Sequence, residues 1–161
     1  MRRVSRTGPL GHQVSKAMSE YTIDEAVFLL PSGWCDRSLN VLGPDPSPEE
    51  FKVLVSRADQ DGRTLDDFVD GQVKDLSQRL PWFALEGRAE RVVAGTRALS
   101  VRSTFRDGKA DLFQHQVTLA ARGKFVTITA VSLARVADAC SNELERVLAT
   151  VRLRPTEDAA R

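Results

Sequence analysis

Three alternating segments joined by two short turns constrain the fold of this chain more than any other feature. The segments cover residues 97–105, 111–121 and 124–133, and the turns contain Asp107-Gly108 and Arg122-Gly123. Asp-Gly is a favoured pair in tight hairpin turns, and side chains two positions apart in a strand share a face. The first segment therefore places four side chains on one face: Leu99, Val101, Ser103 and Phe105. Together these signals predict a long antiparallel β meander.

Shorter segments upstream of the meander predict further strands. An apolar segment at 21–31 is ended by Pro31-Ser32-Gly33, and residues 37–42 alternate between apolar and polar side chains. A loop with three prolines at 43–48 leads to a second alternating segment at 51–57. In that segment one face carries Phe51, Val53 and Val55, and the other carries Lys52, Leu54 and Ser56.

Two helices are predicted from apolar residues spaced three and four positions apart. The first covers about 65–80, follows Thr64 with Asp67 as a shorter form of the capping box, and is stopped by Pro81. The second covers about 136–150. Strands combined with two segregated helices predict an α+β fold, in which two main helices pack on an antiparallel sheet.

Length and charge limit the domain organisation and the partners. The 161 residues fit one domain, which we expect at 18–155. Residues 1–17 are expected to be an unfolded basic extension or to precede the true start, and 156–161 a disordered tail. Residues 1–17 hold four bases and no acid, which leaves 19 bases against 22 acids elsewhere. An acidic body argues against nucleic-acid binding, which requires a basic face.

The sequence also predicts a protein that does not enter a membrane. No apolar run approaches the roughly 20 residues of a membrane span. Residues 1–17 contain no apolar core of the kind found in a secretory signal, with only Val4, Leu10 and Val14 scattered among polar residues. We therefore expect a cytoplasmic location, with both cysteines reduced.

No set of residues in the sequence is typical of an enzyme or a metal centre. The two histidines are His12, in the basic extension, and His115, in the middle of a predicted strand, where a structural role is usual. The two cysteines, Cys35 and Cys140, lie far apart and have no metal-like spacing to a histidine. Glycine-rich phosphate-binding motifs are missing too. We expect no catalytic activity, no metal and no cofactor.

Residues 30–42, LPSGWCDRSLNVL, resemble the opening motif LP-x-x-W-x-D-x-S-hydrophobic-N-hydrophobic of the DcrB-like family. Within that family the match is to the Eag-type chaperones associated with type VI secretion effectors. Three further stretches agree in order: Ser56-Arg57, the helix with its exit at 68–83, and His115-Gln116-Val117 ahead of the Thr-rich strand 126–129. The resemblance covers about residues 19–155.

The resemblance implies a compact α+β domain with a curved antiparallel sheet, similar to the PsbP-like fold. It implies a cytosolic homodimer without catalytic activity. The implied partner is the hydrophobic N-terminal transmembrane region of a cognate effector that contains a PAAR domain, bound before the effector is loaded on the secretion spike. Such a client requires an apolar surface with isolated neutral polar groups, because its helices are apolar and already hydrogen-bonded internally.

The family pattern places client-binding residues on two strands, one helix and the meander. They are Leu39, Val41, Lys52, Leu54, Ser56, Gln72, Leu76, Leu80 and Gln116. Lys52 departs from the small or neutral residue of the family, although its aliphatic stem can cover apolar surface while the ammonium group stays in water. Leu76 is bulkier than the family pattern suggests, which would narrow the site. Trp34 and Asp36 are expected to serve the fold, as a packing anchor and a turn-forming carboxylate.

Other interpretations remain open at this point. The apolar members of the set fit an ordinary core, Gln72 fits a helix boundary, and Gln116 fits a solvent-facing strand position. An alternative function is a DcrB-like or PsbP-like accessory protein of unknown partner, although exported or lipidated relatives of that kind carry a targeting segment. An enzyme is the least supported class, since it requires a pocket with converging titratable groups.

Overall fold

The computed structural model describes residues 18–22, 27–31, 39–42 and 51–154. The chain divides into two units, 1–35 and 36–161. In the first unit, β1 (Met18–Thr22) and β2 (Val27–Pro31) form an antiparallel hairpin. The single apolar segment expected at 21–31 is therefore wrong, because the chain reverses between these two strands. The expectations for Trp34, Asp36 and the two chain ends lie outside the described residues.

The second unit contains one six-stranded sheet and two α-helices. Its elements, in chain order, are β3 (Leu39–Leu42), β4 (Phe51–Asp59), α1 (Leu65–Arg79), β5 (Ala84–Val93), β6 (Thr96–Asp107), β7 (Ala110–Ala121), β8 (Lys124–Leu133), a 3-10 turn (Ala134–Val136) and α2 (Ala137–Ala149). The strand order is β3-β4-β8-β7-β6-β5, with antiparallel pairing throughout. The predicted α+β class is confirmed.

The two helices pack on opposite faces of this sheet. From α1, Phe68 and Val69 join a cluster with Leu99 of β6, whereas Leu144 of α2 joins a cluster with Ala98 of the same strand. Consecutive side chains in a strand point to opposite faces, so these clusters lie on opposite sides. We call the two sides the α1 face and the α2 face. Each helix thus covers one apolar cluster, on its own face of the sheet.

The start of α1 follows from its capping residues. The backbone N–H of Asp67 donates to Thr64 Oγ1 at 3.1 Å, and the Thr64 hydroxyl donates to the Asp67 carboxylate at 2.7 Å. In the usual capping box the longer Glu side chain reaches the backbone N–H of the capping residue instead. The Asp side chain is one methylene shorter and accepts from the hydroxyl.

The structure differs from the sequence-based prediction in one strand and in one helix end. Strand β5 was not predicted: it is an edge strand, most of its side chains are exposed, and its register with β6 shifts between Leu85 and Gly87. Leu80, expected as the last helical residue, has extended backbone angles and caps the helix by donating its N–H to Leu76 O at 2.8 Å. Pro81 follows and ends the helix there.

Candidate functional site

On the α1 face, beside the area where α1 packs, strands β3, β4, β8 and β7 contribute a further set of side chains. In register across these strands, Val41 pairs with Leu54, Leu54 with Thr129, and Thr129 with Gln116. A parallel row runs through Leu39, Ser56, Thr127 and Thr118. Because cross-strand partners share a face, these side chains form one continuous surface. We call this surface, with Lys52 beside it on β4, the open surface.

Ion pairs on the side of α1 remote from the open surface supplement the packing of Phe68 and Val69 that positions this helix. Asp66 accepts from Arg97 Nη1 at 2.8 Å and from Arg88 Nη2 at 3.1 Å, and Asp70 pairs with Arg88. The hydrogen bond from Arg97 lowers the pKa of Asp66. Further along, Arg106 N donates to Pro81 O at 2.9 Å. These contacts fix α1 beside β5 and β6.

The outer part of the open surface is apolar and exposed to solvent. Leu39 retains 55% of its accessible area and Val41 retains 59%. Both belong to β3, which is the edge strand of the sheet. Leu54 beside them is half-buried, whereas Lys52 is exposed and pairs with Val131 towards the start of β4. Large aliphatic side chains with this exposure are not core residues in the isolated chain.

The central part of the open surface consists of small hydroxyl-bearing side chains. Thr127 and Thr129 of β8 are buried, and Thr118 Oγ1 lies 2.9 Å from Thr127 Oγ1. Next to them, Gln114 Nε2 donates to Ser103 Oγ at 2.9 Å. The sequence predicts Thr127 and Thr129 only as part of a Thr-rich strand and does not single out Thr118. Their period-2 spacing was the signal that places them on the same face.

Two glutamines border this polar strip and retain free hydrogen-bonding capacity. Gln116 lies half-buried on β7, and Gln72 lies half-buried on α1. Within the part of the chain that the structure describes, neither side-chain amide makes a hydrogen bond. Each amide offers two N–H donors and a carbonyl acceptor. Both are therefore available to a bound molecule.

The three predicted helix residues are all half-buried along α1 and its cap. Gln72 and Leu76 are one helical turn apart, and Leu80 follows in the cap. On α1, Gln72 is four residues after Phe68, whose ring stacks on Phe125 of β8 at a centroid distance of 4.4 Å. Residues four apart lie on the same side of a helix. Gln72 is thus on the β8 side of α1, whereas Asp70 faces β5.

A second polar cluster lies on the α2 face and is separate from the open surface. His115 is 5% exposed; its Nε2 lies 2.7 Å from Ser100 Oγ and its Nδ1 lies 3.2 Å from Ser141 Oγ of α2. Burial lowers the pKa of His115. Both ring nitrogens are engaged by serine hydroxyls, and neither is bonded to a carboxylate as in a Ser-His-Asp arrangement. The cluster ties α2 to β6 and β7.

The described residues contain no group of three or more His, Cys, Asp or Glu side chains arranged to hold a metal ion. Nor is any helix of the described ranges both long and apolar enough to cross a membrane. The titratable groups found on the sheet are mostly engaged in ion pairs, such as Arg91 with Glu145 at 2.6 Å. The open surface is consequently the best candidate for a binding site.

The family model that matches this sequence is that of DcrB, over residues 25–150. No functionally curated protein matches the chain closely enough in sequence to count as a relative.

Three solved structures share the fold. PA94 of Pseudomonas aeruginosa, a protein of unknown function, is 24% identical with a TM-score of 0.69, over 86% of this chain and 99% of that chain. LpqN of Mycobacterium tuberculosis, involved in cell envelope biogenesis, is 12% identical with a TM-score of 0.55, over 92% and 90%. PsbP (CyanoP) of Synechocystis sp. PCC 6803 is 15% identical with a TM-score of 0.53, over 91% and 98%. The expected likeness to the PsbP-like fold is confirmed.

Proposed function

The chain belongs to the DcrB family, and from this membership we propose that it is a chaperone for a type VI secretion effector. It binds the N-terminal transmembrane segments of a cognate effector that contains a PAAR domain, and it releases them when the effector is loaded on the spike. It acts in the cytoplasm as a homodimer and without catalysis. The support is the resemblance of residues 30–42 to the Eag-type members, combined with the character of the open surface.

One observation carries this proposal: exposed aliphatic side chains adjoin a strip of neutral polar ones. Leu39 and Val41 are more than half exposed, and the rows that contain them lead directly to Thr127 and Thr129. A catalytic cleft instead gathers titratable groups. A surface for transmembrane helices needs apolar area, because lipid-facing residues aggregate in water. It also benefits from accessible amide groups such as those of Gln72 and Gln116, because polar side chains join helices inside membranes, whereas the buried hydroxyls of the two threonines do not contribute.

The energetic requirement of such binding is modest. Burial of about 400 Å2 of apolar surface yields on the order of 10 kcal/mol before association costs, at about 25 cal/mol per Å2. Association costs are of similar size, from about 4 to 15 kcal/mol. Because these two contributions nearly cancel, hydrogen bonds from Gln72 and Gln116 to the client can supply the net affinity. This balance favours clients that carry a polar group or a small residue facing those amides.

The test is co-expression of the full chain with the N-terminal transmembrane fragment of a PAAR effector encoded beside its gene, followed by affinity purification without detergent. We expect a soluble complex with this chain, and an insoluble fragment when it is expressed alone. Light scattering on the purified chain and complex measures whether two copies are present. If the chain is well folded while the fragment stays in the pellet, the chaperone proposal fails. The family-level alternative, an accessory protein of unknown partner, would then be preferred.

A further inference from the structure

A concave site lies on the α2 face, away from the open surface. It is a depression of about 390 Å3 lined by Arg57 of β4, Ala121 of β7, Arg122 in the following turn, and Lys124 and Val126 of β8. In the sheet, Arg57 pairs with Val126 and Ala121 pairs with Lys124. The register therefore brings side chains from three strands to one corner of the sheet, where no residue of α2 contributes to the lining.

The turn geometry brings the third basic residue to this corner. Arg122 and Gly123 both have positive φ, 50° and 74°, as a two-residue turn of type I′ requires. Arginine is an unusual residue for this backbone conformation, which favours Asn, Asp and Gly. The turn itself thus gives no reason for a cation at position 122. Its guanidinium group is exposed at the rim of the depression.

The depression carries an excess of positive charge. Lys124 Nζ donates to the Asp59 carboxylate at 2.6 Å, so one cation of the three has an acidic partner at the site. Among the described residues, Arg57 and Arg122 have no carboxylate within ion-pair distance. By contrast, arginines on β5 and β6 are paired, for instance Arg106 with Asp111 at 2.8 Å. Two guanidinium groups that approach one concavity without a counterion suit an anionic ligand.

The floor of the depression adds an apolar requirement to the ligand. Ala121 and Val126 are half-buried, and both pack against the apolar cluster beneath α2. The volume lies near the lower end of the range of about 300–1,000 Å3 for small-molecule sites. Guanidinium forks match the paired oxygens of carboxylates and phosphates. A ligand that fits has an oxyanion at the rim and a small apolar group on the floor.

We propose that this depression is a binding site for a small organic oxyanion, a phosphate or carboxylate that carries an apolar group, with Arg57 and Arg122 as its ligands. The site is independent of the proposed chaperone function, since its residues belong to the opposite face of the sheet. Such a ligand has two sources, a soluble metabolite or the headgroup region of an anionic lipid. The experiment distinguishes them.

The full chain is titrated by calorimetry, in Tris buffer at low salt, with phenyl phosphate as the probe. Two matched probes each lack one part of it: phenol lacks the charged phosphate, and inorganic phosphate lacks the apolar ring. Phosphatidylglycerol vesicles represent the lipid source. We expect phenyl phosphate to bind more tightly than either fragment. Arg57→Gln and Arg122→Gln should each weaken it by about tenfold, as removal of a charge-assisted hydrogen bond does.

Lys109→Gln is the matched control, because Lys109 is also an exposed cation of a hairpin turn but does not line the depression. The affinity of this variant for phenyl phosphate should match that of the unmodified chain. Circular dichroism verifies that all three variants fold. If Lys109→Gln loses as much affinity for phenyl phosphate as the arginine variants do, the effect depends only on net charge and the proposal is overturned. The proposal is also overturned if neither phenyl phosphate nor the vesicles bind, or if phenol binds as tightly as phenyl phosphate. Binding to the vesicles alone, when it is lost in the arginine variants, would assign the ligand to the lipid source, and binding to phenyl phosphate alone would assign it to a soluble metabolite.

Discussion

The imidazole of His115 lies between the hydroxyls of Ser100 and Ser141, with Nε2 2.7 Å from Ser100 Oγ. This arrangement joins two strands of the sheet to α2 at a position that is 5% exposed. Burial lowers the pKa of His115 below its ordinary value of 6.5, the charge of nearby Glu145 opposes this shift, and the charges of Arg102 and Arg91 reinforce it. The imidazole is therefore neutral in the folded protein at neutral pH.

The first prediction concerns acid destabilisation between pH 7.5 and pH 5.5. A histidine whose pKa is lowered by folding binds protons more readily in the unfolded chain, so the free energy of unfolding falls as pH drops below about 6.5. The fall continues until the folded-state pKa is reached. Urea denaturation of the unmodified chain should show this loss, and His115→Gln should show a shallower dependence on pH in that window.

Carboxylates with lowered pKa act in the same direction but at lower pH, which separates the two effects. Arg91 lowers the pKa of Glu145, whose ordinary value is 4.5, and Arg97 lowers that of Asp66 from 3.8. Their contributions are present above those ordinary values and vanish as pH falls through the lowered ones. If His115→Gln retains the full slope between pH 7.5 and 5.5, the burial of a neutral imidazole does not account for it.

The second prediction concerns the start of α1. Thr64→Ala removes the acceptor of the Asp67 N–H and the donor to the Asp67 carboxylate. Loss of such a cap costs about 0.5–2 kcal/mol of the free energy of unfolding. Urea denaturation measures the cost, and Thr64→Ser serves as the control because it keeps the hydroxyl. Equal destabilisation by the two substitutions would mean that the methyl group, rather than the cap, matters at this position.

The sequence was most informative where local signals agreed with tertiary packing. The three meander strands are flanked by turns that need positive φ at glycine, such as Gly108 and Gly123, and α1 lies between a cap and a proline. The hairpin of β5 and β6 lacks such a signal. Its turn is Ala94-Gly95, and Ala94 has a φ of 50°, which alanine seldom adopts. In addition, the exposed charged side chains of β5 interrupt the alternation of apolar and polar residues that would predict a strand.

For the candidate site, strand parity was sufficient to place residues on a face, but the sequence carried no information on which part of that face α1 leaves uncovered. Leu39 and Leu54 alternate in the same way as the core residue Val101. Their different exposure depends on where α1 packs on this same face, which follows from the packing of Phe68 against Leu99 and the ion pair of Asp66 with Arg97. Contacts between residues over 20 positions apart leave no local pattern.

The third prediction separates the exposed residues of the open surface from the core. Val41→Ala should change the free energy of unfolding by less than about 0.5 kcal/mol, because Val41 is 59% exposed. Val117→Ala is the matched control, since Val117 is fully buried on β7, and should cost on the order of 2 kcal/mol. Urea denaturation measures both. A large loss in Val41→Ala would assign it to the core and remove it from the site.

The fourth prediction addresses client recognition and rests on the proposed chaperone function. The double substitution Gln72→Ala and Gln116→Ala removes two side-chain amides that make no hydrogen bond within the described residues. The free energy of unfolding should therefore stay within about 1 kcal/mol of the unmodified chain. Capture of the effector fragment in detergent-free purification should fall by about tenfold or more, because each lost hydrogen bond contributes about 0.5–1.5 kcal/mol.

The matched control for this double substitution is Gln78→Ala with Asn142→Ala, which also removes two amides, from exposed positions on α1 and α2. This variant should capture the fragment as well as the unmodified chain does. If the Gln72 and Gln116 variant also captures it fully, the amides are not recognition points and the apolar residues alone hold the client. Leu39→Asp with Val41→Asp then tests that remaining possibility, because a lipid-facing helix that covered two carboxylates would remove their hydration without offering them a partner.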